Sequence, residues 1–251
     1  MAMLLAAPAI AAPTPPPPAD AGDERPVLEL PEDVGPLPHV RIDVEAREVE
    51  IPATVVAREA EWLELLVCPP GGREHETILT SEARPSHIHL ALLMLGLEAG
   101  RPLAWEVNPE DRDDPTIHPP RGPEVEIFIV MRGEAGEQLV PVNEWVIDRE
   151  TGQTLPDNRF LFTGSRIEVV DEEQRFYLAD LNGTTISLVN FGDDVIVRPT
   201  TQTNVTDEQR LAANTQRIPE EGTEVTVRIR VVEEEEDEDA QGEAGAGDAA
   251  G

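Results

Sequence analysis

Three of the five histidines lie close together in the chain, near the only cysteine. His75 follows Cys68 after a Pro-Gly turn, and His87 and His89 begin a long apolar run. Neutral imidazole binds zinc and copper, and a helix N-terminus disfavours the protonated form. Because positions i and i+2 point about 200° apart on a helix, His87 and His89 do not easily share one ion. One interpretation of these residue types is therefore a zinc or copper site, formed by His75 with His87 or His89 and with Glu76 or Cys68.

The same residues also have a purely structural interpretation. A histidine beside an apolar helix is commonly a hydrogen-bonded core residue, and a lone cysteine is commonly buried and inert. The spacing matches no zinc or copper signature. A nucleophilic pair of Cys68 and His75 lacks a marked third group, and one cysteine argues against an iron–sulfur cluster. The first expectation is therefore a domain without a cofactor, and a zinc or copper site is the alternative.

Other motifs give little support to catalysis. The acidic residues at 108–115 include a spacing found in calcium loops, but the glycine and terminal glutamate of an EF-hand are absent, which favours a solvated loop. Thr163-Gly164-Ser165 lacks the frame of a nucleophile elbow and predicts a turn. The chain has no lysine and no phosphate-binding glycine loop, so nucleotide chemistry is not expected.

Alternating apolar residues predict short strands over residues 40–68 and through most of the chain after residue 124. A buried helix is predicted to begin at Ser86, as N-cap, and to end before Gly96. A polar helix is predicted at 206–213, and Asn182-Gly183 predicts a hairpin turn, flanked by Asp180 as a turn cap. The predicted fold is mainly β with one buried helix (α+β), with antiparallel sheets in a compact single domain.

Composition divides the chain into four parts. Residues 1–12 form a short apolar segment with a small-x-small cleavage pattern, typical of a truncated export signal, and residues 13–38 form a proline-rich linker. Residues 39–232 form the β-rich domain, and residues 233–251 form an acidic tail that we expect to be disordered. The net charge of −32 disfavours nucleic acid and anionic membranes as partners, and no apolar run is long enough for a transmembrane span.

The order of several motifs resembles the YdjY-domain family over about residues 40–232. The matching motifs are Arg73-Glu74-His75-Glu76, the run from His89 to Gly96, Asn143-Glu144-Trp145-Val146, Phe162-Thr163-Gly164-Ser165, the run from Ala179 to Leu188, and Ile218-Pro219-Glu220-Glu221-Gly222-Thr223.

The resemblance implies an exported bacterial β-rich domain, periplasmic or extracellular, of unknown biochemical role. Some members of the family are labelled ferredoxin-like, a label that the single cysteine does not support. We therefore expect a non-enzymatic domain that binds a partner protein or a small ligand. A metal-binding accessory protein is the alternative, and a hydrolase built from scattered residues stays open.

Overall fold

The structure is a computed structural model that describes residues 37–107, 115–133, 136–170, 174–205 and 210–232. The export-like segment, nearly all of the linker and the acidic tail lie outside these residues, as does most of the acidic loop at 108–115. Within the described residues the chain forms sixteen strands, two α-helices and two 3₁₀ turns. Among these residues, no helix combines the length and the apolar character that crossing a membrane requires.

The strands are β1 (Arg41–Asp43), β2 (Glu48–Val55), β3 (Leu65–Cys68), β4 (Thr77–Thr80), β5 (Ala104–Glu106), β6 (Thr116–His118), β7 (Glu124–Gly133), β8 (Gly136–Pro141), β9 (Val146–Asp148), β10 (Arg159–Phe162), β11 (Ile167–Val169), β12 (Arg175–Tyr177), β13 (Ile186–Ser187), β14 (Ile196–Val197), β15 (Leu211–Ala213) and β16 (Glu224–Val231). The helices are α1 (Pro85–Met94) and α2 (Leu178–Asn182), and the 3₁₀ turns are Glu74–Glu76 and Val142–Trp145.

Eight strands form a closed ring in the order β2, β16, β7, β10, β14, β13, β3 and β4, with β4 pairing back onto β2. The mainly β fold with few helices is therefore confirmed. The prediction of antiparallel sheets holds only in part, because β3 pairs with β4 and β13 with β14 in parallel. Alternation along a strand identifies its buried face but not the direction of its neighbour, which explains this error.

The interior of the ring is filled by aliphatic side chains from alternating positions. Val49, Ile51 and Val55 of β2 are buried, and Val227 of β16 pairs with Ile51 across the strands. Trp145, Phe160 and Phe162 are the largest fully buried side chains. This core supplies the rigid frame from which the short outer hairpins and the helices extend.

Helix α1 lies at the predicted place but begins differently. Its N-cap is Arg84, with Pro85 at the first helical position, rather than Ser86. The predicted C-terminus is confirmed: Gly96 has a φ of 85° and its N–H bonds to the carbonyl of Leu93, while the Leu97 N–H bonds to Leu92. These two bonds form a Schellman motif, which needs positive φ at the glycine.

Two other predicted elements are wrong. Asn182-Gly183 does not form a hairpin, because Asn182 ends α2 and Gly183 is its left-handed cap with a φ of 75°. Residues 211–213 are not helical: Leu211–Ala213 forms strand β15, which pairs with β9. The first part of that predicted helix, residues 206–209, lies outside the described residues. An Asn-Gly pair suits both a tight turn and a helix end, and only tertiary contacts select between them.

Candidate functional site

His75 and Glu76, two of the predicted metal ligands, lie together in the first 3₁₀ turn. The Nε2 atom of His75 is 3.7 Å from a carboxylate oxygen of Glu76, and the side chain of His75 is 81% exposed. The guanidinium of Arg73 donates to the other oxygen of Glu76 at 2.8 Å. The arrangement is an exposed histidine beside an acid that is already paired.

His89 lies in the packing beneath α1 and is part of a hydrogen-bonded chain. Its Nδ1 atom is 2.8 Å from the Tyr177 hydroxyl, and the same hydroxyl lies 3.2 Å from the carbonyl oxygen of Gly164. The tautomer of the ring decides whether Nδ1 or the phenol donates in the shorter contact. Burial lowers the pKa of His89 to about 4, and its ring packs edge-on against Phe162 with centroids 5.1 Å apart. His89 is therefore a neutral residue that joins α1 to β12 and to the end of β10.

Cys68 and His87 complete the set of predicted ligands. Cys68 is fully buried, and burial raises the pKa of its thiol to about 11, so it stays protonated at neutral pH. The Nδ1 atom of His87 is buried without a hydrogen-bond partner. Across the described parts of the chain, no group of three or more His, Cys, Asp and Glu side chains lies close enough together to hold a metal ion.

Asp180 supplies the cap of α1 that the sequence assigned to Ser86. One oxygen of its carboxylate accepts the backbone N–H of Ser86 at 2.8 Å, and the other accepts the Ser86 hydroxyl at 2.7 Å. The guanidinium of Arg84 donates to the same carboxylate at 3.0 Å. Asp180 therefore does not cap an Asn-Gly hairpin. It holds the positive end of α1 against α2, where a carboxylate is favoured.

A buried acidic pair follows β13. Asp194 is fully buried, and one of its oxygens accepts the backbone N–H groups of Phe191 and Gly192 at 3.0 and 3.1 Å. Asp193 is also buried and accepts the side-chain amide of Asn182. Each acid keeps a second buried oxygen without a hydrogen-bond partner. Burial raises the pKa of Asp194 to about 7.

Two short hairpins, β5–β6 and β11–β12, lie outside the closed ring and carry exposed apolar side chains. Trp105 pairs across the first hairpin with Ile117, which is 52% exposed. The second hairpin exposes Val169 and Phe176. A side chain added at Gly192 would contact both the Trp105 ring, at 3.8 Å, and the guanidinium of Arg166 just before β11, at 3.9 Å. The two hairpins therefore flank the loop that carries the acidic pair.

A polar groove of about 550 Å³ lies on the outer side of the ring, over β2, β4, β7 and β16. His39 stands between it and a second groove of about 300 Å³. Beside the grooves, Arg228 binds Glu50 at 2.6 Å and Glu48 at 3.2 Å. The grooves are open and edged by proline and charged or hydroxyl side chains, unlike the enclosed apolar pockets that small molecules usually occupy.

Sequence reasoning did not find the hairpins or the acidic pair. Trp105 lies in a strand of only three residues, too short for a periodic signal. Asp193 and Asp194 follow a glycine, which usually indicates an exposed turn. The signal that was available is the apolar run Val195-Ile196-Val197 directly after two acids, which places those acids at the start of a buried strand.

The closed eight-stranded sheet, filled with aliphatic side chains and covered by one apolar helix, defines the molecule as a mainly β domain. The chain belongs to the YdjY-domain family, since the model of the YdjY domain matches residues 40–230. No curated protein and no solved structure matches the chain.

Proposed function

We propose that this chain is an exported, non-enzymatic domain that binds a partner protein through its two outer hairpins. The observation that carries the proposal is the exposure of Trp105, Ile117 and Phe176 on two hairpins that flank one loop. Val169 pairs with Arg175 and lies on the opposite face of the β11–β12 hairpin from Phe176. Exposed apolar groups concentrated in one region commonly belong to protein interfaces, and tryptophan is enriched among the residues that dominate binding energy.

Charge narrows the class of partner. The chain carries 51 acidic and 19 basic residues, so its field attracts a partner with a basic surface around an apolar centre. The open polar groove is a weaker candidate for a small ligand, because it offers little enclosed apolar surface. The proposed export is supported by the apolar segment and cleavage pattern at residues 1–12.

Photo-crosslinking in the source cell tests the proposal. A photoreactive amino acid placed at Ile117 or at Phe176 should give the same discrete adduct. The same group at Leu139, an exposed apolar residue of β8, is the matched control and should give none. Mass spectrometry identifies the partner protein in the adduct, which is then purified by itself. This partner should bind the wild-type chain at least about tenfold more tightly than it binds the Trp105→Ala variant. Equal affinity of the two chains, or equal crosslinking from Leu139, would contradict the proposal.

Metal binding is the alternative function, and the contact between His75 and Glu76 is its specific support. The test is the metal content of the chain purified without a histidine tag. Stoichiometric zinc or copper that is lost in His75→Ala would replace the partner-binding proposal. Absence of bound metal, with no thermal shift on adding zinc or copper, would remove the alternative.

A further inference from the structure

We propose that the acidic segment at residues 233–239 folds back and binds Arg47, Arg101 and Arg121, at the end of the ring from which it leaves. The segment consists of seven consecutive acidic residues and directly follows Val232, where the described part of the chain ends. This contact is separate from the proposed partner binding and does not depend on it.

The chain leaves the ring beside two arginines. Strand β16 lies between β2 and β7 and runs antiparallel to both, so its end lies beside their starts. The N–H of Val231 bonds to the carbonyl of Arg47 at 3.1 Å, and the N–H of Val232 bonds to the carbonyl of Glu124 at 3.2 Å. Arg47 directly precedes β2, and Arg121 precedes Glu124 by three residues, which span at most about 10 Å. The acidic segment therefore begins within reach of both guanidinium groups.

Arg101 and Arg121 form a pair of like charges. They lie directly opposite each other in an antiparallel bridge, joined by two backbone hydrogen bonds of 2.7 and 2.9 Å. Side chains in this relation share a face, with Cβ atoms about 5 Å apart, and like charges there repel each other. Both arginines are exposed, and neither guanidinium forms an ion pair among the described residues. Glu124, the acid nearest to Arg121 in the sequence, already binds Arg159 at 2.6 Å. An anion that contacts both arginines would remove this repulsion.

The three arginines are held by tight packing of the backbone. A methyl group at Gly100 would overlap the carbonyl of Arg121, and one at Gly122 would overlap a backbone carbonyl of β10. The bridge therefore packs backbone against backbone at the end of the ring, which only glycine allows. The Nε atom of Arg47 is buried and has no hydrogen-bond partner. Guanidinium groups on such fixed supports lose little entropy when they bind a carboxylate.

The net charge of the chain favours its own acidic segment over an anion from solution. A nucleic acid or an anionic lipid surface is repelled by the net charge of −32. A segment of the same chain is instead held near the arginines at an effective concentration on the order of millimolar. Its carboxylates repel one another, and each guanidinium can bind any of them in a bidentate pair. The contact therefore needs no single conformation of the segment.

Photo-crosslinking of the purified full chain tests the contact directly. A photoreactive amino acid at Ala240, one position beyond the acids, should form an adduct within the monomer on the chain around Arg101 or Arg121. This adduct should fall at least about fivefold in the double variant Arg101→Gln with Arg121→Gln, and also in about 1 M sodium chloride, which screens the charges. Arg166→Gln with Arg175→Gln is the matched control, because it removes two exposed arginines at the β11–β12 hairpin, and it should keep the adduct.

Thermal unfolding at low salt gives a second readout. In the chain with its acids intact, Arg101→Gln with Arg121→Gln should lower the Tm by about 3–6 °C, because the attraction to the segment is lost. In a chain whose seven acids are replaced by glutamine and asparagine, the same double variant should leave the Tm unchanged or raise it, because only the repulsion between the arginines is removed. The control pair should shift the Tm equally in both chains.

Three results would each overturn the proposal. The first is the absence of an adduct from Ala240, or an adduct that maps to another part of the chain. The second is the same Tm shift for Arg101→Gln with Arg121→Gln whether or not the acids are present. The third is an equal dependence on the acids for the control pair of Arg166 and Arg175, which would indicate a general effect of net charge.

Discussion

The buried histidine of α1 gives the sharpest test of the packing beneath the helix. Burial lowers the pKa of His89 to about 4, against about 6.5 in an unfolded chain. A lowered pKa means that the unfolded chain binds a proton more readily than the folded one. The stability that neutral His89 contributes is therefore present above pH 6.5 and is lost as the pH falls towards 4. Between pH 7.5 and pH 5 these two pKa values correspond to a loss of about 2 kcal/mol.

The perturbation is His89→Asn, which places an amide group near the position of Nδ1 and can still form a hydrogen bond with the Tyr177 hydroxyl. The smaller side chain loses its contact with Phe162, which should cost about 1–3 kcal/mol at pH 7.5. The variant has no imidazole at this position to protonate. The difference in free energy of unfolding between the wild-type chain and the variant should therefore be smaller by about 2 kcal/mol at pH 5 than at pH 7.5. Urea unfolding of both chains at the two pH values measures this change. Groups that titrate alike in both chains cancel in the comparison.

His75→Asn is the matched control, because the side chain of His75 is 81% exposed. It should change the free energy of unfolding at pH 7.5 by less than about 0.5 kcal/mol. If the difference in free energy of unfolding between His89→Asn and the wild-type chain stays constant between pH 7.5 and pH 5, His89 is not a buried neutral residue and the hydrogen-bonded chain through Tyr177 is wrong.

Two further predictions concern the frame of the molecule. Arg228→Met removes the cation that binds Glu50 at 2.6 Å and should cost about 2–3 kcal/mol in urea unfolding at pH 7. Arg132, whose side chain is 59% exposed, provides the control: Arg132→Met should lower the free energy of unfolding by less than about 1 kcal/mol. Equal losses in the two variants would contradict the burial of the ion pairs of Arg228. Gly122→Ala would drive a methyl group into a backbone carbonyl of β10, and we expect failure to fold or a fall in Tm of more than about 10 °C. Gly133→Ala meets no atom within 4 Å and should leave the Tm within about 2 °C, so similar effects would refute the close approach at Gly122.

The strands of the ring and the apolar helix could be predicted because each has a local cause. Val49, Ile51 and Val55 mark one face of β2 by alternation, and Gly96 marks the end of α1 by its positive φ. The cap of α1 had no local cause. Asp180, which holds the start of that helix, is 94 residues further along the chain than Ser86. Side chains that act across such separations leave no spacing pattern in the sequence.

The histidine region also depends on a contact between residues that are far apart in the sequence. The sequence placed His75, His87 and His89 near one helix, and the spacing alone separated the last two. Nothing in the sequence indicated the contact between His89 and Tyr177, because Tyr177 lies 88 residues further along the chain. Residue type predicts which chemistry is available, whereas tertiary packing determines that His89 contacts a phenol and remains neutral.

The buried acids of the fold are stabilised in two different ways. Four acidic residues are buried among the described residues, namely Glu48, Glu50, Asp193 and Asp194. Alternation placed the two glutamates on the outer face of β2, and there Arg228 of the neighbouring strand binds both. Arg228 and Arg41 hold the pKa of Glu50 below its ordinary value despite its burial. Asp193 and Asp194 are held by amide groups: Asp194 accepts the backbone N–H groups of Phe191 and Gly192, and Asp193 accepts the side-chain amide of Asn182. A buried carboxylate is strongly disfavoured unless it is paired or hydrogen-bonded, and the fold therefore meets this requirement with an arginine beside β2 and with amide groups in the loop before β14.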